Sequence, residues 1–171
     1  MKPDSQVRFA AVVSANGEDL LAYFARRVAP REDAADLVSE TFMVMWRRVR
    51  DLPLEPERAR MWAFGIASRL ITNHTRGRIR RHALADRLRD HLRSTQVDFV
   101  DSTDAHAVRA AVDVLPAEQR ELITLVHWEG FSVAESAEIL RLNASTARSR
   151  YARAKEQLAA ELGSVVLSAT S

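Results

Sequence analysis

Cysteine is absent from this 171-residue chain, which excludes disulfides and any zinc site built on thiolates. Glycine and proline number five each, too few for the many turns of an all-β protein. Aromatic residues make up 6%, so the core has to be built from Leu, Ile, Val and Ala. No apolar run approaches the roughly 18 residues that a membrane span needs. Met1-Lys2-Pro3-Asp4-Ser5 leads into no continuous apolar stretch, so no secretory signal and no membrane insertion are expected, and a cytoplasmic location is. Net charge is low as well, +2 at neutral pH, so bulk charge identifies no partner and its distribution has to be read instead.

What is present is 47% apolar residues, enough to bury a core and to exclude a disordered chain. Of the 25 basic side chains, only Lys2 and Lys155 are lysines. The planar arginine fork suits phosphates and base edges. A GC-rich coding sequence produces the same bias, and both explanations stand at this point.

Apolar periodicity predicts helices throughout. A weak one covers residues 6–14 and stops at Asn16-Gly17. A second runs from Glu18 to Val28, with Leu20, Leu21, Phe24 and Val28 apolar, and ends at Ala29-Pro30. A third runs from Glu32 to Arg50, with Ala34, Leu37, Val38, Phe42, Met45 and Val49 on one face. Its acids Glu32, Asp33, Asp36 and Glu40 lie early, where the helix dipole favours them. Asp51-Leu52-Pro53-Leu54-Glu55-Pro56 is a loop, because two prolines so close do not fit inside one helix. A fourth helix is expected from Glu57 to Arg80, with Ala63, Ile66, Ala67, Leu70, Ile71 and His74 inward and Gly77 near its end. The expected organisation is a first domain over 5–82, a linker over 83–105 in which Leu84, Leu88 and Leu92 still suggest a loose helical turn or two before it becomes polar and acidic, a second domain over 106–162 and a tail over 163–171.

The second domain is sharply patterned. Helices are expected over Ala107–Val114 and Glu118–Trp128, the latter with Leu122, Leu125 and Val126 inward. After the turn Glu129-Gly130-Phe131, Ser132 and Glu135 form a capping box for a short helix. That helix ends near Leu140-Arg141-Leu142, and Asn143 caps a last one from Ala144 to about Leu162, with Ala147, Tyr151, Ala154 and Leu158 inward. Small Ala134 and Ala137 allow a close crossing. The opposite face of the last helix offers Ser145, Thr146, Arg148, Ser149, Ala152 and Arg153, with Arg150 beside them. This is the pattern of a DNA-binding helix-turn-helix, whose second helix enters the major groove. Arginine reaches guanine edges or phosphates, and N–H groups at the helix start are able to hold a phosphate. An ordinary helical hairpin with a solvated basic face has the same spacing.

Residues 68–82 hold Arg69, Arg76, Arg78, Arg80 and Arg81 and no acid, together with His74 and His82. Such a stretch neutralises several phosphates, each adding a salt-dependent increment to binding. A helix dipole accounts for one or two of these cations, not for all of them. Trp62 and Phe64 just upstream are either base-stacking aromatics or core residues. The third helix differs: Met43 and Val44 fall off its apolar stripe beside the acids, a combination that suits a basic helical protein partner.

Together these segments resemble bacterial sigma factors, specifically the small extracytoplasmic-function (ECF) group of the sigma-70 family. The run from Asp33 through Asp36, Leu37 and Glu40 to Trp46 resembles the polymerase-binding helix, and Arg60-Met61-Trp62-Ala63-Phe64-Gly65-Ile66-Ala67 the start of the promoter-melting helix. Leu115–Leu122, Glu129–Leu140 and Thr146–Arg150 resemble the second domain, so the match extends over about residues 16–162. The resemblance implies an all-α fold of two small helical domains, a sigma-2-like bundle and a sigma-4-like helix-turn-helix, joined by a flexible linker. It implies that Asp33, Asp36, Leu37, Glu40, Met43 and Val44 bind the beta-prime subunit of the RNA polymerase core. It implies that Leu52 and Leu54 of the loop, with Trp62, Arg69, Asn73, Arg76, Arg78, Arg80 and Arg81, open and read the downstream promoter element in a pocket for a flipped base. It implies that the second domain touches the beta subunit and reads the upstream element through Ser145, Thr146, Arg148, Ser149, Arg150 and Arg153. Asp98, Asp101 and Asp104 become polymerase contacts of the linker, and an anti-sigma factor the controlling partner. No catalytic residue, metal or cofactor is implied.

The chain departs from the family pattern at Ser68-Arg69, usually Arg-Asn, at Asn73, usually Asp, and at Arg141, usually Gly; Gly77 and Ile79 interrupt the basic end. These changes bear on base reading more than on fold. A sigma mimic that binds only an anti-sigma factor has no need of the arginines. A lone helix-turn-helix regulator has no need of the acidic helix and linker. An enzyme has no support, since there is no P-loop, nucleotide-binding glycine motif or paired-histidine helix, and His127 beside Glu129 is a structural pair.

Overall fold

The computed structural model describes residues 3–28, 30, 32–89 and 103–169. Among them are seven α-helices, one 3-10 turn and no strand. The chain divides into two compact units, 1–93 and 94–171.

The first unit contains α1 (Pro3–Ala25), α2 (Glu32–Arg47), the 3-10 turn Val49–Asp51 and α3 (Pro56–Arg89). The stop expected at Asn16-Gly17 is not there, and α1 runs straight through it. Asn16 is buried and its Nδ2 donates to the Val12 carbonyl at 2.8 Å, so its amide is spent inside the helix rather than in a turn. Gly17 lies against α2, where an added Cβ would meet Phe42 at 3.8 Å. Helix α1 ends when the N–H groups of Arg27 and Val28 both fold back on the Phe24 carbonyl. Pro56 opens α3 at the first helical position, where a missing N–H costs nothing.

Tyr23, Phe24, Met45, Phe64 and the alanines Ala63 and Ala67 are fully buried in this unit. Tyr23 meets the Phe64 ring edge-on at 5.4 Å. Phe64 is therefore a core residue and not a stacking platform. Thr41, absent from the expected apolar stripe, is buried too, and its hydroxyl is satisfied by the Leu37 carbonyl at 2.7 Å. Leu37 itself is 4% exposed, which assigns it to the core rather than to an outward face.

The second unit contains α4 (Thr103–Val114), α5 (Ala117–His127), α6 (Val133–Leu140) and α7 (Ala144–Ala169). Leu122, Ala137 and Ala147 form one apolar cluster where α5, α6 and α7 meet, with Val133, Leu140 and Leu142 against it. Val112, Leu115, Ile123 and Ala154 form another, with Tyr151 and Leu158. Helical backbone enters the expected linker from both sides, over 83–89 in α3 and from Thr103 in α4, and α7 continues through most of the expected tail. Asp98 and Asp101 lie outside the described residues, as does the side chain of Asp104.

Candidate nucleic-acid and protein-docking surfaces

In α2, the buried residues Ala34, Leu37, Thr41 and Met45 define the inner face. At 100° per residue, Asp36, Glu40 and Met43 then fall within about 60° of one another on the opposite side. Asp36 and Glu40 are exposed and Met43 is 52% exposed, so the outer face is an acidic stripe with an apolar residue at its C-terminal end. Val44 is half-buried at its margin. Asp33 is engaged elsewhere: its carboxylate meets His74 Nε2 of α3 at 3.1 Å and ties the start of α2 to α3. A stripe of this kind attracts a basic helix and gives it a methionine to pack on.

Beyond α2 the chain is tightly held. Arg48 donates from Nε and Nη2 to Asp51 Oδ2 at 3.0 and 2.9 Å, with its guanidinium 6.0 Å from the Trp62 ring centre. Leu52 is buried, so of the two loop leucines only Leu54, at 75% exposure, faces outward. Arg8 of α1, which no sequence pattern marks, donates from Nη2 to the carbonyls of Leu52 and Pro53, at 2.9 Å each. Only its distance of 44 residues from Leu52 hides it, since charge and position alone do not distinguish it from any surface arginine.

Along α3, Trp62, Arg69 and Arg76 repeat every seven residues and share a line with Asn73. Trp62 is half-buried, while Arg69, Asn73 and Arg76 are exposed. The backbone helix continues through Arg78, Arg80 and Arg81, whose side chains lie outside those described. A half-exposed indole in line with guanidinium groups offers an unpaired strand one stacking surface and several phosphate partners.

In the second unit the capping box is fully formed. Glu135 N–H donates to Ser132 Oγ at 3.2 Å, and Ser132 N–H donates to Glu135 Oε2 at 2.7 Å. Helix α6 ends on Arg141 in the left-handed region, φ 56° and ψ 39°, while Leu142 N–H reaches back to the Ala137 carbonyl at 2.8 Å. This reverse turn directs the chain into α7 and seats Leu142 on the apolar cluster. Asn143 Oδ1 then accepts from the N–H groups of Ser145 and Thr146 at 2.9 and 3.1 Å. Those two N–H groups are consequently occupied within the chain.

Ser145, Arg148, Ser149 and Arg153 are exposed on α7, and Thr146 is half-buried. Arg150 turns the other way and pairs with Glu118 Oε2 of α5 at 2.7 Å, which makes it a brace between helices. His127 Nε2 meets the Tyr151 hydroxyl at 3.0 Å, a bond that joins α5 to α7. Among the described residues no group of three or more acidic or histidine side chains is placed to hold a metal ion, and no helix is long and apolar enough to cross a membrane.

Two family models match in the order of the two units: sigma-70 region 2 over residues 12–81 and sigma-70 region 4 over residues 105–158. The ECF RNA polymerase sigma factor SigE of Mycolicibacterium smegmatis is 34% identical over 143 residues, 81% of this chain and 54% of that protein. This chain thus spans about half the length of that relative. The RNA polymerase sigma-E factor of Streptomyces avermitilis is 33% identical over 156 residues, covering 86% of this chain and 81% of the relative. Among solved structures, CnrH in complex with the cytosolic domain of CnrY aligns with a TM-score of 0.66 and 26% identity, over 93% of this chain and 90% of the other.

Proposed function

The chain belongs to the ECF group of the sigma-70 family, and from that premise we propose that it directs RNA polymerase to specific promoters under the control of an anti-sigma factor. The observation that carries this reading is the sorting of charge by helix. The outer face of α2 is acidic with an exposed methionine, whereas the exposed faces of α3 and α7 carry arginine. The acidic face has the chemistry to dock on a basic helical element of the polymerase core, through Asp36, Glu40 and Met43. The line Trp62, Arg69, Asn73 and Arg76, with Leu54 at the loop tip, suits the opened downstream element. Ser145, Arg148, Ser149 and Arg153 suit the major groove of the upstream element.

Binding of a second protein is supported by the solved complex of CnrH with the cytosolic domain of CnrY. The acidic stripe on α2, with Met43 at its end, is a surface for which such a binding partner and the polymerase would compete. Work on RNA polymerase is a cytoplasmic role, and it requires no catalytic residue and no cofactor. Transcription in vitro with core polymerase on a pool of genomic promoters tests the reading in one step. Specific transcripts that depend on the added protein are expected. Their complete absence, with the helical fold verified, would overturn it, and assembly with an anti-sigma factor alone would mark a mimic.

A further inference from the structure

The chain between the 3-10 turn and α3 is held on both sides of its tip. Asp51 is gripped by Arg48, Leu52 is buried at 6% exposure, and Pro53 and Pro56 fix their own φ angles. The prolines also lack N–H groups, which leaves the loop fewer donors of its own. Arg8 of α1 is a donor from outside the loop: one terminal nitrogen bridges the carbonyl oxygens of Leu52 and Pro53, at 2.9 Å each. Arg8 is half-buried, and that nitrogen is directed at the loop backbone. Next in the chain comes Leu54, held outward at 75% exposure. An apolar tip on a clamped loop is suited to pack on the flat face of a base that has left its stack. A loop ordered beforehand loses less freedom on binding.

We propose that Arg8 is a positioning residue, whose guanidinium holds the loop carbonyls so that Leu54 meets an unpaired base of the downstream element. The inference rests on the reading that this loop touches DNA. It deepens that reading by adding a residue from a helix with no other part in it. Arg8 acts through the loop and makes no contact with DNA itself.

The test uses full-length protein in holoenzyme and single-stranded oligonucleotides that carry a downstream element located by start-site mapping. The quantity measured is the ratio of affinities for the element and for the same strand with one base changed. Both affinities come from one preparation, so the ratio is independent of the fraction folded. R8M keeps the aliphatic stem and removes the donors, and its ratio is expected to fall about tenfold, equivalent to about 1.4 kcal/mol. R8K returns a cationic donor on a shorter stem and is expected to lie between R8M and wild type. Affinity for a scrambled strand, set by phosphate neutralisation, is expected to stay constant. A wild-type ratio in R8M would overturn the proposal. So would a loss on the scrambled strand as large as that on the element, which would make Arg8 a phosphate contact. Failure of the underlying reading shows separately: wild type itself would not discriminate, and L54D would change nothing.

Discussion

Replacing Arg141 with glycine is expected to stabilise the second unit, although it removes a charged side chain and adds no contact. Arg141 is the one non-glycine residue among those described that has a positive φ, at 56°. For an L-residue this region costs roughly 1–2 kcal/mol, because Cβ crowds the following carbonyl. Glycine is free of that crowding but returns up to about 1 kcal/mol through its greater freedom in the unfolded chain. The difference leaves a net gain of about 0.5–1 kcal/mol. For a unit spanning 94–171, this corresponds to a rise in melting temperature of about 2–8 °C. Trp128 is the only tryptophan of this unit, so its fluorescence during urea titration in a W46F/W62F background follows the second unit alone. R141N, which tolerates the left-handed region, is expected to gain less than glycine, and R141A to change little, since alanine keeps the same crowding. R141V is expected to lose stability, because a branched Cβ fits worst. A glycine variant no more stable than the alanine variant would refute the reasoning, since only the backbone term separates the two. Affinity for upstream promoter DNA, measured on the same variants, reads whether the cation at the turn contributes there.

Three further outcomes are expected. S136A should stabilise the second unit by about 1–2 kcal/mol in the same titration, because the Ser136 hydroxyl is fully buried with no hydrogen-bond partner among the described residues; a loss of stability would show that it has one. Charge reversal at Asp36 and Glu40 should abolish assembly with core polymerase in a pull-down while leaving the circular dichroism unchanged, since both side chains are exposed on the outer face of α2; normal assembly would remove the docking surface from the account. R148A should weaken upstream-element binding by about 1–3 kcal/mol, whereas R150A, which only releases the brace to Glu118, should leave base discrimination intact; equal effects of the two on discrimination would contradict the orientation of α7.

The signals that proved readable all act within one turn of helix. Ser132 and Glu135 are three residues apart, and Asn143 caps residues two and three positions ahead, so each start is written where it occurs. The inward stripe Ala147, Tyr151, Ala154 and Leu158 follows the helical period and packs as that period requires. Asn16-Gly17 misleads because its local meaning is a stop, while burial of Asn16 and the contact of Gly17 with α2 override it. Leu52 and Leu54 are alike as letters in a loop. Which of them is buried depends on the packing of α1 against the loop.

By itself, then, the sequence determined an all-helical chain, the order of its two modules, the caps of the helix-turn-helix and the sorting of acids and arginines onto different helices. Those features arise from composition, from the 3.6-residue period and from hydrogen bonds between near neighbours. Only the tertiary structure decided that Arg8 clamps a loop 44 residues away, that Asp33 is tied to His74 and that Arg150 braces α5 instead of facing outward. Each of these is a polar contact between distant segments. Its partner is chosen by where packed helices bring side chains together, which no local pattern encodes.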